Sequence, residues 1–167
     1  MNEAASVRIV DLNHDGWADI AVLGVVAGEC SARGGSFAFP RQQRGFSAAG
    51  FTDLGVEKAV EIAAADFDSD GSDDLAVLRS DGLVTVFWSE TQRQDVHLPG
   101  NVGLCVAGGD VDGDGRSDLV VGTSGEALWA VRSGGNRKWF PPESYSAHAA
   151  SQVVVGRVDD DNSPILC

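Results

Sequence analysis

The stretch Asp110-Val111-Asp112-Gly113-Asp114-Gly115-Arg116-Ser117-Asp118 decides how this chain is read, because it occurs three times. Asp11-Leu12-Asn13-His14-Asp15-Gly16-Trp17-Ala18-Asp19 and Asp66-Phe67-Asp68-Ser69-Asp70-Gly71-Ser72-Asp73-Asp74 superimpose on it without gaps. Each copy runs into an apolar triplet: Ile20-Ala21-Val22, Leu75-Ala76-Val77 and Leu119-Val120-Val121. Each follows a short apolar run, such as Val7 to Val10 or Leu104 to Ala107. The first aspartates stand 55 and then 44 residues apart, the spacing of whole supersecondary units. A fourth copy begins 47 residues further on, at Arg157, when Gly156 to Asp159 is aligned on Gly109 to Asp112. There Arg157 replaces the first aspartate, Asn162 the glycine and Ile165 the last aspartate, so the unit persists as structure while its chemistry is lost.

Oxygen donors at positions 1, 3 and 5, glycine at 6, a backbone carbonyl at 7 and a carboxylate at 9 suit a hard divalent cation. Calcium takes six to eight oxygens, and alternate side chains of a tight loop converge on one point. The expected ligands are Asp11, Asn13, Asp15, the carbonyl of Trp17 and Asp19 in the first loop. They are Asp66, Asp68, Asp70, the carbonyl of Ser72 and Asp74 in the second. The third offers Asp110, Asp112, Asp114, the carbonyl of Arg116 and Asp118. The first loop has an amide where the others have a carboxylate, so it is expected to bind most weakly. Magnesium prefers to keep its waters and is the poorer fit. These are not helix-loop-helix sites, since position 12 is Val22, Val77 or Val121 and not glutamate.

After each loop the chain reads strand, turn, strand. Leu75–Leu78, Ser80-Asp81-Gly82 and Leu83–Trp88 form one such series, and Leu119–Gly122, Thr123-Ser124-Gly125 and Ala127–Val131 another. Asp-Gly and Ser-Gly between β-rich runs are hairpin signals. The expected fold is all-β: about three four-stranded propeller blades plus a degenerate fourth, in a single repeat domain over 1–167. The units fall at about 1–55, 56–99 and 100–146, with a stub at 147–167. The second half of the first unit is the hardest to place, with Phe37-Ala38-Phe39 as its candidate strand. Even small propellers need about four blades, and the last residues, Leu166-Cys167, align inside a strand. The expectation is therefore a partial propeller, either a piece of a longer chain or one completed by other copies.

The loop D-x-D-x-D-G-x-x-D entering a strand resembles the FG-GAP/VCBS repeats of integrin α-like β-propellers, which are related to repeats in some fungal lectins and many bacterial surface proteins. The resemblance implies calcium loops that connect strands within blades and stiffen the propeller, with recognition elsewhere on its faces.

The chain carries 12 Lys and Arg against 25 Asp and Glu, a net charge of −13. That balance argues against nucleic acid, whose phosphates need basic patches, and against anionic membranes. No apolar run approaches the length of a membrane span. Cys30, Cys105 and Cys167 are odd in number and widely spaced, so they form neither a disulfide framework nor a CxxC pair. His14, His97 and His148 lack a nucleophile or carboxylate at triad spacing, and Ser124 sits in a turn sequence, so no enzyme is expected. Of the four tryptophans, Trp88 and Trp129 lie in apolar strands and read as core. Trp139, between Arg137-Lys138 and Phe140-Pro141-Pro142, is the better candidate for surface contact than those two, against the alternative of a loop that packs its own aromatics. The functional expectation is a calcium-stabilised propeller that binds a carbohydrate or protein ligand outside the cell or at its surface. The alternatives are an intracellular interaction scaffold, or a non-catalytic propeller region of a larger hydrolase or lyase.

Overall fold

The computed structural model describes residues 4–24, 35–42, 45–47, 50–99, 103–125, 127–146, 152–157 and 164–166. Cys30, Cys167, His148 and Asn162, singled out in the sequence, lie outside the described residues. Among those residues there is no helix. Three antiparallel four-stranded meanders follow one another, each in simple chain order. The first holds β1 (Ala4–Val10), β2 (Asp19–Gly24), β3 (Gly35–Phe39) and β4 (Thr52–Asp53). The second holds β5 (Ala59–Ala65), β6 (Asp74–Arg79), β7 (Leu83–Phe87) and β8 (Arg93–His97). The third holds β9 (Gly103–Gly109), β10 (Asp118–Thr123), β11 (Ala127–Val131) and β12 (Glu143–Ser146). A two-stranded ribbon, β13 (Val155–Arg157) with β14 (Pro164–Leu166), stands where the degenerate unit was expected. These are propeller-type blades, and Phe37 to Phe39 supplies the third strand of the first.

The sheets pack in sequence order through their first strands: β5 lies against β1, β9 against β5, and β13 against β9. Much of this packing comes from the second strands of the second and third sheets, β6 and β10, which are apolar without alternation and buried on both faces, whereas β2 buries Ala21 and Leu23 and leaves Ile20 and Val22 half-buried. In β6, Leu75 and Val77 point into the core shared with the first sheet, beside Leu12, Leu23 and Ile62. Their neighbours Ala76 and Leu78 point the other way, into the core shared with the third sheet. Strand β10 repeats the device, with Leu119 and Val121 on one side and Val120 on the other, beside Cys105, Leu128 and Val153. Each leucine or valine among them is worth about 1.5–3 kcal/mol of burial. Close approach of β9 to the second sheet depends on Gly108, where a Cβ would come within 2.7 Å of Ala65 and 2.8 Å of Phe67.

The first strand of each sheet also carries a register slip at one equivalent place. It falls at Ala5, Val60 and Leu104, six residues before the first aspartate of each loop. A bulge there increases local twist, which suits strands that must fan around a common axis. The slip has no signature in the sequence.

Candidate metal loops

Each aspartate-rich nonapeptide is the connection between the first and second strands of its sheet. The hairpin closes on its ninth residue: Asp19 pairs with Val10, Asp74 with Ala65 and Asp118 with Gly109. The second residue is an inward anchor, fully buried as Leu12 and Phe67 and half-buried as Val111. Between these ends the loop folds on its own side chains. The first aspartate accepts the N–H of the glycine at position 6, at 2.8, 3.0 and 2.9 Å in the three loops. The side-chain oxygen at position 3 accepts the N–H of position 5, and position 5 accepts that of position 7. Two residues of this winding are left-handed. Position 6 has φ of 84°, 92° and 85° at Gly16, Gly71 and Gly115. Position 4 is also left-handed, at His14 (58°), Ser69 (64°) and Gly113 (81°). The Gly-x-Gly of the third loop is the sequence signal of that second turn.

The three loops differ at the ninth aspartate, which is fully buried in all of them. In the first loop Asp19 accepts Leu12 N–H at 3.2 Å on one oxygen and Arg41 N–H at 2.9 Å on the other. Asp118 does the same in the third, with Val111 N–H at 3.1 Å and Ser133 N–H at 2.7 Å. Asp74 accepts Phe67 and Asp68 N–H on Oδ2 alone, at 2.8 and 3.3 Å, and its buried Oδ1 has no partner. Burial pushes the Asp74 carboxyl up to about 7, reinforced by the charges of Asp68 and Asp70 and opposed by those backbone bonds. Burial likewise raises Asp19 and Asp118 above the usual carboxylate range.

The second loop brings together Asp66, Asp68 and Asp74, one oxygen of each lying within 4.8 Å of the others. The third brings together Asp110, Asp112 and Asp114 within the same limit. Asp70 and Asp118 stand outside these groups, and the first loop forms no comparable group among the described residues. This donor chemistry, all oxygen with one carboxylate oxygen buried and unsatisfied, fits a hard cation. An unpaired buried acceptor costs free energy that a cation would recover.

Arginines stand at the same carboxylates. Arg137 Nε lies 2.9 Å from Asp68 Oδ2, although 69 residues separate them. Arg116 Nη2 meets Asp114 Oδ2 at 2.6 Å, and Arg132 Nη1 approaches Asp112 Oδ2 at 3.6 Å. The segment that carries Arg137 ties two loops together: Ser133 N–H reaches Asp118, its hydroxyl donates to Phe67 O at 2.6 Å, and Asn136 N–H donates to Asp68 O at 2.9 Å. Sequence reading had no means of finding Arg137, because the pairing is made by packing between sheets.

The remaining candidates separate cleanly. His14 and His97 are exposed, and Ser124 lies on an exposed turn. Trp88 is buried, and Trp129 is half-buried against the same core. Trp139 takes the packed alternative and not the surface one: its ring stacks on Trp88 at 6.0 Å and tilts against Phe67 at 5.9 Å. Its loop folds back through the left-handed Gly135 so that Trp139 closes the seam between the second and third sheets, while Phe140 is left exposed. The tryptophan that does reach solvent is Trp17, 55% exposed at position 7 of the first loop. Arg41 lies over its ring, 4.4 Å from the centroid.

Comparison with known proteins agrees with this architecture. Residues 66–121 match the FG-GAP-like repeat, and residues 106–137 match the FG-GAP repeat. No curated protein matches the chain. The matched segments cover the second and third loops and the strands around them, so residues 66–137 are built of FG-GAP-type repeats.

Proposed function

We propose that this propeller-type binding module is stabilised by calcium in its aspartate loops and recognises a carbohydrate or protein ligand, without catalysis, outside the cell or at its surface. The observation that carries the calcium reading is the buried, partnerless Oδ1 of Asp74 within the Asp66, Asp68 and Asp74 group. In the second loop, Asp66, Asp68, Asp70, Asp74 and the Ser72 carbonyl would hold the ion. In the third loop the holders would be Asp110, Asp112, Asp114, Asp118 and the Arg116 carbonyl. Asp11, Asn13, Asp15, Asp19 and the Trp17 carbonyl would form the weakest site, having one carboxylate fewer. Calcium there neutralises crowded carboxylates and fixes the loop; the protein supplies burial and the second-residue anchors that aim it. Extracellular modules of this kind often bind calcium at roughly 10⁻⁴–10⁻³ M, which agrees with a structural role outside the cell.

The far face of the first sheet supports completion of a ring by further blades, from the same polypeptide or from a second copy. Arg8 and Ser6 turn towards Glu61 of the second sheet, while Val7 and Ile9 on the opposite face stand 49% and 66% exposed. Light scattering in millimolar calcium distinguishes the two sources.

The calcium reading is tested by thermal unfolding with and without chelator. Millimolar calcium is at most about 10 times such a dissociation constant, and a ligand that binds only the folded state then adds about 1.4 kcal/mol per site. For a chain of this size that is a loss of about 3–6 °C per site on chelation. An unchanged melting temperature overturns the reading.

A further inference from the structure

Asp15, Trp17, Arg41 and Gln42 line an open cavity of about 350 Å³ beside the first aspartate loop. Trp17 is 55% exposed, and the Arg41 guanidinium lies over its ring, 4.4 Å from the centroid. Among the described residues Arg41 has no carboxylate partner, whereas Arg116, Arg132 and Arg137 each meet one. Neither the loop nor its cation needs this side chain. Position 7 would contribute only its carbonyl, and the other two loops place Ser72 and Arg116 there. The residue equivalent to Arg41 is Ser133 in the third sheet, since both donate a backbone N–H to the ninth aspartate. The indole, guanidinium and amide thus occur together in the first unit alone, on a backbone that repeats without them.

We infer that this cavity is a saccharide-binding site for a neutral sugar ring, an assignment that rests on the binding-module reading above. The chemistry is complementary at each group. Arg41 lies over one face of the indole, so the opposite face is the flat apolar surface left for the C–H face of a pyranose. Around it, Arg41 and Gln42 supply N–H donors and Asp15 a carboxylate acceptor, a mixed set that matches vicinal hydroxyls. The volume lies at the small end of ligand cavities, the size of one or two sugar rings and not of an extended chain. An anionic sugar fits less well: Asp15 stands on the rim, and the chain carries a net charge of −13. Calcium in the loop below would fix Asp15 and the Trp17 backbone, so that binding depends on metal through order and not through direct ligation.

The test is an array of neutral and acidic glycans probed with the whole chain in millimolar calcium, followed by titration of the best neutral monosaccharide. Trp17→Ala is expected to weaken that binding on the order of tenfold or more, as for a central aromatic anchor. Trp17→Phe should retain part of it, and Arg41→Met should lose a comparable share. An unshifted calcium-dependent melt certifies that each variant still folds. If the protein binds glycans and Trp17→Ala binds equally well, this site is wrong while the carbohydrate reading survives. Binding confined to acidic glycans overturns the neutral-sugar assignment. A folded, calcium-loaded protein that binds no glycan removes both the site and the carbohydrate reading.

Discussion

The first and second loops share one backbone winding and differ in what surrounds it. Asp74 in the second leaves an oxygen unsatisfied, and Arg137 reaches in from the adjoining sheet to Asp68. Asp19 in the first is satisfied on both oxygens by its own sheet, and the loop presents Trp17 to solvent. The difference shows how a repeated unit divides labour. The inner copy holds charge between sheets, and the outer copy, relieved of that task, keeps a surface open.

That comparison is sharpened first at the anchors. Phe67→Ala should cost about 3–5 kcal/mol in denaturant unfolding, because Phe67 fills the seam between two sheets. Leu12→Ala, the same position in the first loop, should cost about 2–5 kcal/mol and less than Phe67→Ala. Reversal of that order would mean that the seam between the second and third sheets does not hold the structure together.

The ninth aspartates should part more sharply. Asp19→Asn forces an amide N–H₂ against a backbone N–H, a loss of about 1–3 kcal/mol with or without calcium. Asp74→Asn keeps an acceptor for Phe67 and turns its amide to the empty side, so in chelator it should be nearly neutral near pH 4 and stabilising near pH 7, where it removes a buried charge. In calcium it should abolish stabilisation at that loop. The pH dependence follows from the same group. Its folded carboxyl titrates at about 7 against 3.8 ordinarily, so the fold holds the proton more tightly than the unfolded chain. The contribution is complete below the ordinary value and is lost as pH rises through about 7. Unfolding in chelator should therefore become easier between about pH 4 and pH 7, and Asp74→Asn should reduce that slope. A slope unaltered by the substitution would place the titration elsewhere.

Smaller effects test the arginine and the turn. Arg137→Gln leaves the Asp68 carboxylate unaccompanied, and should cost about 1 kcal/mol in chelator but less in calcium, where the ion takes over its charge. Equal losses in both conditions would show that Arg137 and the cation do not share Asp68. Ser69→Gly relieves a left-handed residue and should raise stability by roughly 0.5 kcal/mol, since most of the relief is offset by backbone entropy.

Much of this was legible in the sequence because it is local. Three gapless loops, their glycines and the apolar triplets behind them are set by neighbours along the chain, and so are the hairpins at Gly82 and Gly125. What escaped depends on distant partners. The second N–H donated to Asp19 comes from Arg41 and that to Asp118 from Ser133, each supplied by a later strand connection. Whether Trp139 faces water depends on Phe67 and Trp88, from another sheet. Arg137-Lys138 and Pro141-Pro142 around it mark a loop that leaves both readings open, and only packing shows the ring turned inward.

The two-sided burial of β6 makes that strand intolerant of length change. Deleting one residue within it would exchange Leu75 and Val77 with Ala76 and Leu78, presenting each adjoining sheet with the side chains shaped for the other. Variation in the number of residues should thus collect in the outer connections of this protein, and be purged from its second strands even where every replacement is apolar.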